Sequence, residues 1–457
     1  MRITNFALAL LTAAALAACG GNGSKGGDQS LKTKFSSQVT FGDSLSDVGS
    51  YAVGGVKANG GGQYTINGDA TSVNPVLTGK NWTALVAAQL GLPAPCAAQT
   101  GLLGTPSQTE ALNFAVPVVN HPECFGYAQG GSRVTNPVGP GNKLLDKPGA
   151  LSLGQMTVPV VTQIANHLAK VGGKFKGDEL VLVMAGGNDA LEQLGELSAS
   201  ATAAGSTAFA TSLTQQLAVG ATNPATAGPA IGLAIQTEAA RPGHTDQSVV
   251  GAGVAAAVAA GNTAAGNPAV YGPMVAKAQA DGAAAGAAFA TSNGPTRVVA
   301  MATAGAELAL LVKNEIIGKG ANFVVVNNLP DVSISPSAKA QSAETQGLIK
   351  AMVAAFNDKL QAGLNGDPKV LYVDLAAVSR DQSVNPAPYG LTNTTTPACD
   401  LTSAKNFLGS SLICNKNNLI AGDVSHYMFA DSVHPTPFEY SLIARYVLEQ
   451  MIAKGWL

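Results

Sequence analysis

The sequence predicts an α/β protein, a parallel sheet sandwiched between helices, and three observations carry that reading. The runs at 180–184 (Leu-Val-Leu-Val-Met), 370–374 and, as a strand ending at a turn, 322–330 are short, apolar and rich in β-branched residues, as strands buried on both faces require. Segments with apolar residues at helical spacing lie between and around them, at 152–171, 298–317 and 345–364. The runs end at turns rich in Gly, Asn and Asp. In such sheets ligands bind beyond the C-terminal ends of the strands, so those turns are where function is expected.

The earliest of these edges is Val39-Thr40-Phe41-Gly42-Asp43-Ser44-Leu45-Ser46-Asp47-Val48-Gly49. A short strand ends in glycine and delivers a serine among small and acidic residues. Read alone, Ser44 serves equally as a helix cap or as a nucleophile, and the second role needs a base and an oxyanion site elsewhere. The Gly/Asn-rich stretch 54–74 reads as loop, 81–90 as a short helix stopped by Gly91 and Pro93, and 95–122 as irregular chain. Next, 125–134 runs into Gly130-Gly131, either a plain loop or a turn that brings a backbone N–H close to a ligand. The strand at 180–184 leads into Ala185-Gly186-Gly187-Asn188-Asp189. Asn188 suits a helix cap or an amide donor to a developing oxyanion.

From 198 to 293 Ala, Gly, Ser and Thr dominate and charges are few. The stretch reads as an insertion of helical hairpins forming a lid or a docking surface, because it is too weakly hydrophilic to stay open as a linker. After it the α/β alternation resumes, and a long loop at 376–428 precedes an apolar C-terminal helix.

Only 12% of the 457 residues are charged and the net charge is −2, so no basic stripe exists to neutralise phosphates and no nucleic-acid partner is expected. Residues 1–19 read as an export signal, with Arg2 before an apolar stretch at 6–16 that is short for a membrane span. Its end, Leu16-Ala17-Ala18-Cys19, resembles a bacterial lipobox, which makes Cys19 the candidate for lipidation and for contact with a membrane. Plain secretion is the alternative. Residues 20–36 suit a flexible tether. Setting Cys19 aside leaves Cys96, Cys124, Cys399 and Cys414, for which local pairing, 96 with 124 and 399 with 414, is the expected one of three connectivities. Such bridges fit an oxidising compartment. No Cys-x-x-Cys spacing occurs, and neither a metal nor a cofactor is expected.

The last signal is Phe429-Ala430-Asp431-Ser432-Val433-His434-Pro435-Thr436. An aspartate three residues before a histidine lets one loop present both, with the carboxylate on Nδ1–H and Nε2 facing outward to deprotonate a serine. Asp423-Val424-Ser425-His426 has the same spacing. His434 is preferred because the proline and helix behind it fix its loop. The remaining histidines, His121, His167 and His244, lack the arrangement.

Taken together, the chain resembles the GDSL lipase/esterase family, also called SGNH hydrolases. The blocks that carry the resemblance stand in order: Gly42-Asp43-Ser44-Leu45-Ser46-Asp47, Gly130-Gly131, Gly187-Asn188-Asp189 and Asp431-Ser432-Val433-His434-Pro435. Ser50 stands where an asparagine often follows the first block. The resemblance implies a flavodoxin-like three-layer α/β/α sandwich over 37–457, interrupted by 198–293. It implies Ser44 as nucleophile, His434 as base oriented by Asp431, and an oxyanion hole of the Ser44 N–H, a Gly131 N–H and the Asn188 amide. The expected activity is hydrolysis of small-molecule or lipid esters with aliphatic acyl chains through an acyl-enzyme. A carbohydrate O-acetylesterase is the alternative enzyme, and a non-catalytic surface-binding lipoprotein the alternative of another kind.

Overall fold

The computed structural model describes residues 32–68, 77, 79–146 and 151–457. The export signal, Cys19 and most of the tether lie outside the described residues. Strand β1 (Gln38–Gly42) comes first, followed by short helices α1 (Gly54–Ala58) and α2 (Trp82–Gln89). A hairpin of β2 (Gln99–Leu103) and β3 (Ala115–Asn120) precedes helix α3 (Val160–Lys170) and strand β4 (Leu180–Met184). Next come α4 (Gly187–Ala218), α5 (Pro224–Ala239), α6 (Asp246–Ala259) and α7 (Pro268–Leu311). The chain then runs through β5 (Phe323–Asn327), α8 (Pro336–Lys339), α9 (Ala343–Leu364), β6 (Val370–Val373), α10 (Leu375–Val384) and α11 (Pro437–Lys454).

Strands β1, β4, β5 and β6 pair in that order, all parallel, with Gln38 opposite Leu180, Leu180 opposite Phe323 and Val324 opposite Val370. The segment at 125–129 extends the sheet along the free edge of β1: the Thr40 N–H donates to Phe125 O at 3.0 Å and the Tyr127 N–H to Thr40 O at 2.8 Å. Side chains alternate across the sheet, as a period of two requires. Val181, Val183, Val324 and Val326 pack with Met301 and Phe356 of α7 and α9. Leu180, Leu182 and Val325 pack on the opposite face with Trp82 of α2 and Tyr440 and Val447 of α11. The protein is therefore a three-layer α/β/α sandwich, and burial on both faces explains why its strands read as unbroken apolar runs.

Three segments differ from the sequence expectation. The 95–122 stretch holds the β2–β3 hairpin; β3 is largely exposed, and a register shift falls between Thr100 and Leu102, so no burial alternation marks it. The helix expected from 152 starts only at Val160: Pro159 at its N-cap is extended and disfavours helical geometry at Val158, and Gly154 and Thr157 have φ of +56° and +49°. The stretch at 54–74 includes α1, whose sequence Gly-Gly-Val-Lys-Ala has no helix signature.

Residues 198–293 are mostly helical, and both 198 and 293 fall inside helices, α4 and α7, that emerge from the sandwich. The outer parts of α4 and α7 join α5 and α6 around a separate apolar core that includes Leu213, Leu217, Ile231, Ile235 and Val249. Glycines interrupt these helices where the backbones touch: a Cβ on Gly282 would lie 2.9 Å from the carbonyl oxygen of Gly205. The close approach compensates for the weak helix propensity of glycine. The helical stretch Pro268–Ile317 is long and apolar enough to cross a membrane by length and composition. Here it packs against α4 and α9.

Candidate active site

Ser44 sits immediately after β1, at the C-terminal edge of the sheet, in a 3-10 turn spanning Ser44–Ser46. The cap of that turn is Asp43, whose side chain accepts the Leu45 N–H at 3.1 Å. Ser44 is thereby free of the capping role that its surroundings allow. Its Oγ lies 2.8 Å from Nε2 of His434. On the other side of the ring, Nδ1 lies 2.8 Å from Oδ2 of Asp431 and 3.0 Å from Oδ1. With Nδ1–H donating to the carboxylate, Nε2 is the acceptor facing the serine hydroxyl.

Asp431 is buried and fully engaged. It accepts the backbone N–H groups of Ser411 at 2.7 Å, Val433 at 2.9 Å and His434 at 2.8 Å. Burial works to raise its carboxyl, but His434 and these donors outweigh burial and hold it well below the usual carboxylate range. Ser411 belongs to the loop closed by the Cys399–Cys414 disulfide, and the Cys399 N–H donates to Ala430 O at 2.9 Å. The bridge therefore braces the carboxylate's support. The second disulfide, Cys96–Cys124, ties down the hairpin beside the 125–129 segment. Both bridges fit an oxidising compartment.

Gly130 and Gly131 are distinguished by their hydrogen bonds. The Gly130 N–H donates to Oδ2 of Asp47 at 2.9 Å, whereas the Gly131 N–H and the Ser44 N–H have no partner among the described residues. Gly131 has φ +79°, and a Cβ there would lie 2.3 Å from Pro140 O. No other residue fits that turn. Oδ1 of Asp47 accepts the N–H groups of Gly49 at 2.8 Å and Ser50 at 2.7 Å, so one carboxylate joins the serine block to the glycine block. The Tyr51 hydroxyl adds a bond to Gly130 O at 2.7 Å.

Asn188 lies in the first turn of α4, directly after β4. Its Nδ2 donates to Ser132 O at 2.8 Å, and an amide nitrogen carries two donors. Ser44, Gly131, Asn188 and His434 all line one cleft of about 1740 Å³. Asp189, the next residue, pairs with Arg133 at 3.1 Å and accepts the Val134 N–H at 3.0 Å, pinning the start of α4 to the glycine turn.

Several groups at the site carry no recognisable sequence signal. The Tyr64 ring lies 4.7 Å from the His434 ring, centroid to centroid, and its hydroxyl accepts from Gln155. Burial pushes Asp43, next to Ser44, up to about 7, opposed by the Leu45 N–H and the charge of His434. Burial likewise raises Asp47 to about 6.

The competing Asp423–His426 pair is not built this way. Nδ1 of His426 lies 2.8 Å from Gly390 O and its ring stacks on Phe438 at 4.2 Å, while Asp423 holds Ser425. His121 contacts Thr100, and His244 contacts Arg241 O. His167 is buried among Phe41, Tyr127 and Phe175, and burial, with Lys170 and Lys176, lowers it to about 4.

No protein-family profile matches the chain. Curated relatives do. The similarity is to GDSL esterases/lipases. One from Arabidopsis thaliana is 33% identical over 164 residues, covering 31% of this chain and 44% of its own length. A second, also from Arabidopsis thaliana, is 28% identical over 157 residues, 31% of this chain and 41% of its own. The anther-specific proline-rich protein APG of the same plant is 25% identical over 146 residues, 30% of this chain and 27% of its own. The chain thus spans less than half the length of these relatives.

Proposed function

We propose that the protein is a serine hydrolase of carboxylic esters with aliphatic acyl chains. The observation that carries this reading is the continuous line Ser44–His434–Asp431, closed by contacts of 2.8 Å on each side of the imidazole. Ser44 Oγ attacks the ester carbonyl as Nε2 of His434 takes its proton, and Asp431 stabilises the resulting imidazolium. The unpartnered N–H groups of Ser44 and Gly131 and the Asn188 amide receive the negative charge that develops on the carbonyl oxygen. His434 then protonates the leaving alcohol, and water repeats the sequence on the acyl-enzyme. The names of the GDSL relatives support esterase or lipase chemistry. The reading also takes the protein to be exported and anchored through a lipid on Cys19.

Release of p-nitrophenol from p-nitrophenyl butyrate tests the activity, with Ser44→Ala as control. Wild-type turnover that the substitution abolishes supports the reading. Turnover equal in the two proteins contradicts it.

A further inference from the structure

The cleft beside Ser44 does not stop at the reacting groups. It continues along a seam whose walls are α4, α7 and the first turns of α9. On α4 the lining residues Asn188, Leu191, Leu194, Ala201 and Gly205 recur at helical spacing, so they form one face. On α7 that face is met by Val298, Ala290, Ala287 and Gly286. The two helices run antiparallel: Arg297 bonds Glu196 at 2.7 Å near the sandwich, and Gly282 meets Gly205 farther out. At 1.5 Å per residue, the α4 face from Asn188 to Gly205 is roughly 25 Å long.

The chemistry of the lining restricts what can lie there. Among the described residues it includes no lysine, arginine or tryptophan, so these offer an anionic ligand no lysine or arginine counter-charge and a sugar no indole to stack on. Small residues dominate the outer half, where the α4 and α7 backbones touch at Ala201–Gly286 and Gly205–Gly282 and the cleft continues as a groove along that contact. Near Ser44 the cleft is rimmed by Leu151, Leu191 and Phe407, which are 52%, 41% and 38% exposed. Apolar side chains left open around a reactive centre mark a surface that meets apolar substrate.

We infer that the α4–α7 seam seats a long acyl chain, making esters of long-chain fatty acids the preferred substrate class. The inference rests on the serine-hydrolase reading. An extended chain advances about 1.2 Å per bond, as three backbone bonds do per extended residue. The seam thus matches a chain of about twenty bonds, with the ester carbonyl at Ser44 and the methyl end toward Gly205. A cavity of about 1740 Å³ is also well beyond the ~300–1,000 Å³ of ordinary small-molecule sites. The helical insertion then has a catalytic purpose: it extends the substrate site beyond the sandwich.

The test compares kcat/KM for p-nitrophenyl hexadecanoate and butanoate at one fixed detergent concentration. Wild type, Ala290→Trp, Thr202→Trp and Leu233→Trp are measured. The first two substitutions place an indole in the seam from opposite walls, and Leu233 lies on the outer surface of α5, 66% exposed and away from the cleft. The wild-type ratio of hexadecanoate to butanoate is expected to exceed one. It should fall at least about tenfold in both seam variants, since each displaced methylene is worth up to roughly fourfold. The ratio for Leu233→Trp should match wild type. A wild-type enzyme that cleaves butanoate with a ratio at or below one overturns the inference, as does a ratio unchanged in both seam variants. Cleavage of neither ester removes the hydrolase reading itself.

Discussion

The carboxylate of Asp47 accepts the Gly130 N–H at 2.9 Å, so the acid that closes the serine block also sets the turn presenting Gly131. The block that carries Ser44 and the turn that carries Gly131 are mounted on one buried side chain. Asp47→Ala should therefore disturb catalysis without touching a reacting atom. The expected loss is about 10- to 10²-fold in kcat, below the cost of deleting an oxyanion donor outright, with KM little changed. Steady-state kinetics on a soluble ester separates the two parameters; a change confined to KM would place Asp47 in substrate binding.

Ser44→Ala and His434→Ala should each lower kcat by about 10⁴–10⁶-fold, because members of such a unit act together. His426→Ala should leave kcat unchanged, as its ring is committed to Phe438 and the Gly390 carbonyl. Activity lost with His426 and kept without His434 would move the base.

Asn188→Ala should lower kcat by about 10²–10³-fold. The same substitution deletes the bond to Ser132 O, so thermal unfolding must be followed in parallel. A loss of activity at unchanged Tm assigns the effect to the transition state.

The α/β sandwich is legible because strands buried on both faces have to be unbroken apolar runs, and 180–184 and 323–326 are. The serine, glycine, asparagine and Asp-x-x-His blocks stand out because each puts a polar group beside a turn at a strand's end. The helices of 198–293 are harder to trace. Alanine on every face removes the polar–apolar contrast that periodicity depends on, and Pro273 and Pro295 read as breaks inside the unbroken α7. Tyr64 and Gln155 meet across 91 positions of sequence, and nothing local marks either as a neighbour of His434. Asp43 looks like an ordinary member of its block, and only burial shows its carboxyl raised to about 7.

Replacing Cys399 and Cys414 together by serine should cost about 3 kcal/mol of stability, given a sequence separation of 15 residues. It should also lower kcat, because the Ser411 N–H that supports Asp431 rides on the released loop. Chemical denaturation and kinetics on the same preparation check both. A stability loss with intact kcat would separate the bridge from the support of Asp431.

Stability should fall between pH 5 and 8. Burial raises Asp47 to about 6, Asp43 to about 7 and Glu439 to about 8. Each keeps its proton in the folded chain where the unfolded chain has lost it, so raising the pH through these values favours unfolding. Asp431 acts in the opposite sense, its contribution being lost only as the pH drops below the usual carboxylate range. Glu439→Gln should raise Tm at pH 8 and change it little at pH 5. Equal shifts at both pH values would assign the effect to packing.

If Ser44 is an activated nucleophile, a fluorophosphonate probe reads it directly. Mass analysis of the labelled, folded protein should find the adduct on the peptide containing Ser44, absent from Ser44→Ala and formed far more slowly in His434→Ala. A folded wild-type protein that stays unlabelled, or that carries the label on a different serine, would contradict the account.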